Sequence, residues 1–238
     1  MSAWGRILLA LVSAVAFACA GSRPTTVRAS SSTLPEFGQP QGRIVEPSEM
    51  ASGGDLISYR TLTRDDFRSP EPPAAVAAYR DRLGAYTCAQ IRLVDSGHLY
   101  AKPVSGANGG VAYRAAPERA QFEARMDREC SWWNESMTRM PQPYVLEHEQ
   151  IHFALFELTA RSMSARGDAL MLEIAATAAT PEEALAASME DLRAVLVREL
   201  GVALEEQTRF DEDTSFGFRP ELQTRWRERV EAQLGTSK

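Results

Sequence analysis

The run His148-Glu149-Gln150-Ile151-His152 places two imidazoles at positions i and i+4, with a carboxylate directly after the first. On an α-helix this spacing stacks both rings on one face. Two neutral imidazoles so placed can hold one zinc ion, and Glu149 then stands beside the open coordination position, where a general base is needed. The chain has three histidines in all, so two of them are spent here. A catalytic zinc site takes three protein ligands, so a third donor must come from elsewhere in the chain. The chemistry this set could carry is zinc-assisted hydrolysis, with His148 and His152 as ligands and Glu149 as base and then acid.

A helix must carry the pentapeptide. Pro141 and Pro143 precede it, where proline is tolerated, and Leu146, Phe153, Phe156 and Met163 keep the apolar spacing that buries one face. Gly167 is the expected stop.

Before this helix the signals are mainly β. Asp55 to Leu62 holds strand formers, Tyr86 to Val94 alternates, and Ser105 to Gly110 is a turn between strands. Ala120 to Trp132 is compatible with either state, and strict alternation favours a strand. A short helix is expected over Ala74 to Leu83, ended by Gly84. After Gly167 the chain reads as helical. Thr180 is a good N-cap before Pro181, and Leu185, Met189, Leu192, Leu196 and Leu200 keep helical spacing in a helix that continues past Gly201 towards Phe210. A break is expected from Asp211 to Pro220, then a last helix from Glu221 to Leu234. The expected fold class is α+β: a small antiparallel sheet packed on the histidine helix, with further helices towards the carboxyl end.

Composition narrows the setting. With 238 residues, 44% of them hydrophobic, the chain can bury a sizeable core. A formal charge of −6 and the lack of any basic run argue against nucleic acid as a partner. Residues 1–20 read as a signal peptide, with an apolar run from Ile7 to Phe17 that is too short to span a bilayer. Two processing routes fit. Ala18 and Ala20 suit plain secretion, whereas Ala16-Phe17-Ala18-Cys19 is similar to a bacterial lipobox, which would make Cys19 a lipidated first residue and anchor the protein to a membrane. The lipoprotein route is the preferred one, and both are extracytoplasmic. Residues 21–42, rich in Ser, Thr, Pro and Gly, read as a flexible tether, and 43–238 as one domain. With Cys19 set aside, Cys88 and Cys130 remain as an even pair, expected to form a disulfide outside the cytosol. Closing that loop is worth about 4 kcal/mol in the chain-entropy picture.

Around the pentapeptide, Leu146-Glu147-His148-Glu149-Gln150-Ile151-His152-Phe153 resembles the predicted secreted zinc-dependent proteases grouped as domain of unknown function 922, whose helix reads LxEHEQxHF. Glu157 and Arg161 stand at matching places, as does Ser131-Trp132. A second motif near the carboxyl end, YDxxTxHG or YDxxTxHS followed by Gln and Trp, is similar to Phe210-Asp211-Glu212-Asp213-Thr214-Ser215-Phe216-Gly217 with Gln223 and Trp226. The resemblance covers roughly residues 55–234. It implies a zincin-like fold, zinc as cofactor and a peptide or protein substrate. It also exposes a departure: the family histidine that looks like a third metal ligand is Phe216 here, and phenylalanine cannot ligate zinc. Asp213-Thr214-Ser215-Phe216-Gly217 is in turn similar to the DxxYG ending of proteases that use an aspartate ligand. Two functions are therefore carried forward: a zinc peptidase whose third ligand, as the resemblance implies, is Asp211 at the place of the family aspartate, with Asp213 in reserve, and a surface-anchored domain that binds without cleaving.

Overall fold

The computed structural model describes residues 55–94, 98–107 and 109–236, all within one compact unit, Glu36–Lys238. The expected signal peptide, Cys19 and the tether at 21–42 lie outside the described residues. The fold is α+β. Eight short strands form three small sheets, and four α-helices pack against them among the described residues.

In the first sheet, β1 (Leu56–Ser58) and β3 (Ala89–Leu93) flank β6 (Phe122–Asp127), all antiparallel. The strand choice for the ambiguous 120–132 segment is right, and β6 buries Phe122, Ala124 and Met126 on one face. The stretch from Tyr86 to Val94 differs from its single alternating strand. It breaks at Thr87 and Cys88 into β2 (Ala85–Tyr86) and β3. The two halves have different partners: β2 pairs with β7 (Trp132–Trp133), and β3 with β6. Cys88 sits at this break, bonded to Cys130 with a Cα separation of 5.7 Å, so the expected disulfide is present. The third sheet orders β4 (Leu99–Ser105), β5 (Val111–Pro117) and β8 (Ala176–Ala178). Its β4–β5 hairpin turns over Ser105–Gly110 as expected, closed by Gly106 N–H donating to the Gly110 carbonyl at 2.8 Å.

Two expectations fail in instructive ways. The helix expected over Ala74 to Leu83 is only a 3₁₀ turn, Ala77–Tyr79, since so short a segment offers few propagating bonds to offset the cost of helix nucleation. The stop expected at Gly167 is present, since the first helix ends at Ala165 with Arg166 as its cap, and an eight-residue helix begins at Gly167 itself. Glycine is needed there for close approach, since a Cβ would lie 2.7 Å from the Ala120 carbonyl oxygen. The chain after Gly167 is not all helix either, because β8 inserts to pair with β5.

Helix α1 (Gln142–Ala165) is the centre of the molecule. Its second residue in the helix is Pro143, whose missing N–H would have had no helical partner. It is buried on two sides. Phe153, Phe156, Ala160 and Met163 face the first sheet and Leu192, Val195 and Leu196, while Ile151, Ala154 and Leu155 face Phe210, Trp226 and Val230. The short α2 (Gly167–Ile174) follows. The 34-residue α3 (Pro181–Thr214) starts at the Thr180 N-cap, whose hydroxyl accepts from Glu183 N–H at 3.2 Å. It outlasts the break expected at Asp211. Local hydrogen bonding does not end the helix until Ser215 and Phe216, both left-handed at φ 51° and 56°. Helix α4 (Pro220–Thr236) then returns along α1. Among the described residues no helix is long and apolar enough to cross a membrane.

Candidate metal centre

Three elements meet at one end of α1. The histidine face of α1, the last turns of α3 and the β2 segment enclose a cavity of about 40 Å³, lined among others by Tyr86, Thr87, His148, Glu149, His152 and Asp211.

His148 and His152 aim their Nε2 atoms at each other and at Asp211 Oδ1. The three separations are 3.2 Å between the two nitrogens, 3.2 Å from His148 to Asp211 and 3.1 Å from His152 to Asp211. These atoms form a nearly equilateral triangle. Zinc bonds of about 2.0–2.1 Å at tetrahedral angles put neighbouring ligand atoms about 3.3 Å apart. The set therefore fits a divalent metal ion, two nitrogens and one carboxylate oxygen with the fourth direction left to the cavity. Its chemistry is not peculiar to zinc.

The rest of each imidazole is held as a ligand should be. Gln207 Nε2 donates to the His152 carbonyl at 3.0 Å, which turns its Oε1 to accept from His152 Nδ1–H at 2.5 Å. Gln223 Nε2 donates to the Tyr144 carbonyl at 3.1 Å and to Glu147 at 3.2 Å, and its Oε1 accepts from His148 Nδ1–H at 3.0 Å. Both rings thus carry the Nδ1 proton and present Nε2 inwards, the tautomer that ligation requires. Both glutamines are fully buried, and Phe210 lies under both rings at centroid distances of 4.5 and 4.9 Å.

Of the two aspartates, Asp211 reaches the histidines and Asp213 does not. Asp213 accepts from the Trp226 indole N–H at 3.0 Å, on another side of α3. Phe216 lines the cavity, in the turn that caps the site. Gly217 (φ 83°) closes that turn; a Cβ there would sit 3.5 Å from His148 Nδ1, and its carbonyl accepts from Tyr144 Oη at 2.5 Å. Glu149 is 4% exposed and its Oε2 accepts from the Thr87 hydroxyl at 2.7 Å. Glu157 pairs with Arg161 at 2.8 Å, one turn apart, as a structural ion pair.

Gln207, Thr87 and the structural part played by Gln223 and Phe210 are not anticipated from the sequence. Gln207 carried a usable signal, since it stands four residues before Asp211 on one helix and so shares its face. Thr87 carried none.

Without a bound cation the cluster is a buried ion pair. Burial alone would lower the His152 pKa, but the Asp211 carboxylate, with Glu149 and Gln207 behind it, raises it from 6.5 to about 9. Burial pushes Asp211 up, and the two histidines overcome this and pull it from 3.8 to about 2. The raised histidine stabilises the metal-free fold fully below 6.5 and loses that contribution as pH rises through about 9. The depressed aspartate contributes above 3.8 and loses it as pH falls through about 2. An Asp211→Asn protein stripped of metal should therefore be less stable than metal-free wild type. The gap in urea midpoint should be widest between pH 3.8 and 6.5 and shrink towards pH 9. A gap that is constant across this range would show that His152 and Asp211 are not paired.

Compared with known proteins, the chain matches no family model, no curated protein and no solved structure.

Proposed function

We propose that this chain is an extracytoplasmic zinc-dependent peptidase with a zincin-like catalytic core. The observation that carries the reading is the triangle of His148, His152 and Asp211 donor atoms facing one cavity with the buried carboxylate of Glu149. The resemblance to domain of unknown function 922 supports it, and the Cys88–Cys130 disulfide suits a compartment outside the cytosol.

His148, His152 and Asp211 would hold the ion. Zinc in such a site supplies Lewis acidity, bringing the pKa of water to about 7 and polarising a carbonyl. The chain's own residues do the rest. Gln207 and Gln223 keep the imidazoles in the ligating tautomer. Glu149 accepts a proton from the attacking water at its carboxylate and later delivers it to the departing amine. Phe210 and the β2 segment exclude bulk water around these groups. The non-cleaving alternative drew its strength from Phe216, the missing family histidine. Asp211 Oδ1 stands 3.1–3.2 Å from both imidazoles, so three donors converge without position 216, which supports the peptidase reading over that alternative.

The test is purified full-length protein incubated with dye-quenched casein, with metal content measured in parallel. One metal ion per chain is expected, with cleavage that a chelator abolishes and added zinc restores. Metal binding without cleavage would leave a binding domain; no metal at all would end the reading.

A further inference from the structure

We propose that Thr87 is a positioning residue for Glu149, and that the Cys88–Cys130 disulfide holds it in place, so that cleavage but not metal binding depends on the oxidised chain. The inference rests on the peptidase reading.

Glu149 belongs to a helix, yet the side chain that orients it comes from 62 residues away. The Thr87 hydroxyl donates to Oε2 at 2.7 Å, and both residues are at least 96% buried. The glutamate side chain has three rotatable bonds and rotamer freedom to lose on ordering. One fixed donor on Oε2 orients the carboxylate and leaves Oε1 for what enters the cavity. A base must stand within hydrogen-bond reach of the proton it takes, so its orientation bears directly on rate.

Thr87 is in turn fixed from outside the helix. It lies at the break between β2 and β3, flanked by Tyr86, which pairs with Trp132, and by Cys88. Cys88 is pinned three times. Its side chain is bonded to Cys130, its N–H donates to Ser131 Oγ at 3.0 Å, and its carbonyl accepts from Asp127 N–H at 2.9 Å. Ser131 Oγ in turn donates to the Asp127 carbonyl at 2.6 Å. Gly84, in the same wall, runs so close to α1 that a Cβ would lie 2.8 Å from Val145 Cγ1. The disulfide thus tethers the residue next to the one that holds the base. None of these contacts involves His148, His152, Asp211 or their glutamines. The metal donors and the base are therefore held by separate parts of the fold, and a chain still in a reducing compartment would hold metal yet cleave poorly.

The experiment uses the full chain loaded with zinc, dye-quenched casein as substrate, and the variants Thr87→Val and Thr87→Ser. Thr87→Val keeps the shape and removes the hydroxyl. It should lower kcat about 10–100-fold, the usual cost of losing an outer partner, at unchanged KM and unchanged zinc affinity by chelator competition; Thr87→Ser should restore most of the rate. Reduction by a phosphine, which with one water delivers two electrons and two protons and leaves as phosphine oxide, gives free Cys88 and Cys130 thiols and should reproduce the kcat loss with zinc retained. A readout independent of turnover comes from melting temperatures of metal-free wild type, Thr87→Val, Glu149→Leu, which removes the acceptor altogether, and the double variant. The two losses should be non-additive, because each removes the same bond. Wild-type rates in Thr87→Val, or additive melting shifts, would overturn the proposal. If wild type cleaves nothing, the peptidase reading fails and this proposal with it, whereas the melting cycle still reports whether Thr87 holds Glu149.

Discussion

Asp211→Ala should reduce metal affinity by more than the 10–100-fold that loss of an outer partner typically costs, and abolish any chelator-sensitive cleavage. Asp211 supplies the only carboxylate oxygen of the three-atom group, at 3.1 and 3.2 Å from the two imidazole nitrogens. Without it two nitrogens remain, and two protein ligands fall short of the three that a catalytic zinc site uses. Asp213→Ala is the internal control. Its carboxylate is occupied by Trp226, so stability should fall modestly while metal affinity stays near wild type. Gln207→Leu should lie between these extremes, since it frees the His152 Nδ1 proton from its partner and removes no ligand. Chelator-competition titrations of the three variants order them. Equal affinities for Asp211→Ala and wild type would remove the metal site from the molecule.

Glu149→Gln should keep the metal and lose the chemistry. The amide has nearly the shape of the carboxylate and can still meet the Thr87 hydroxyl through its carbonyl oxygen, so neither the fold nor the His148–His152–Asp211 donors should move. An amide cannot accept the proton of an attacking water, and general-base contributions run to about 10²–10⁴-fold. A fall in kcat of that size with full zinc content is the expected result. A variant that cleaves as wild type does would assign the base elsewhere, and a variant that loses zinc would make Glu149 a ligand. In a domain that binds without cleaving, the same substitution should change nothing measurable beyond stability.

Much of this arrangement follows from local pattern. Helical spacing alone aligns His148 and His152, and the alternation from Ala120 to Trp132 correctly gives β6. The even pair of cysteines anticipates Cys88–Cys130. Local reading failed where distant partners overrode it. Tyr86 to Val94 alternates like one strand, but its two halves take partners in different sheets, and nearly every residue is buried on both faces. Gly167 follows the end of the first helix as its type suggests, but the crowding by the Ala120 carbonyl that requires a glycine there is not visible locally. Ala176–Ala178 is too short and too plain to read as a strand, and exists because β5 offers an edge to pair with.

The same division runs through the site. The two imidazoles and the carboxylate beside them were legible in the chain, because they depend on residue type and on the period of one helix, whereas the two aspartates were reached through the motif resemblance. The preference for Asp211 over Asp213 becomes a matter of geometry only in the folded chain. Both lie in the last turns of α3, two residues apart, and two residues turn a helix by about 200°. One of them must therefore face away when the other faces α1. Which one does so depends on how α3 crosses α1 and where Trp226 of α4 stands, and neither is encoded within any short stretch of chain. The contact between Thr87 and Glu149 is of the same kind. It spans 62 residues and joins a strand end to a helix face, so it exists only once the core has closed around α1.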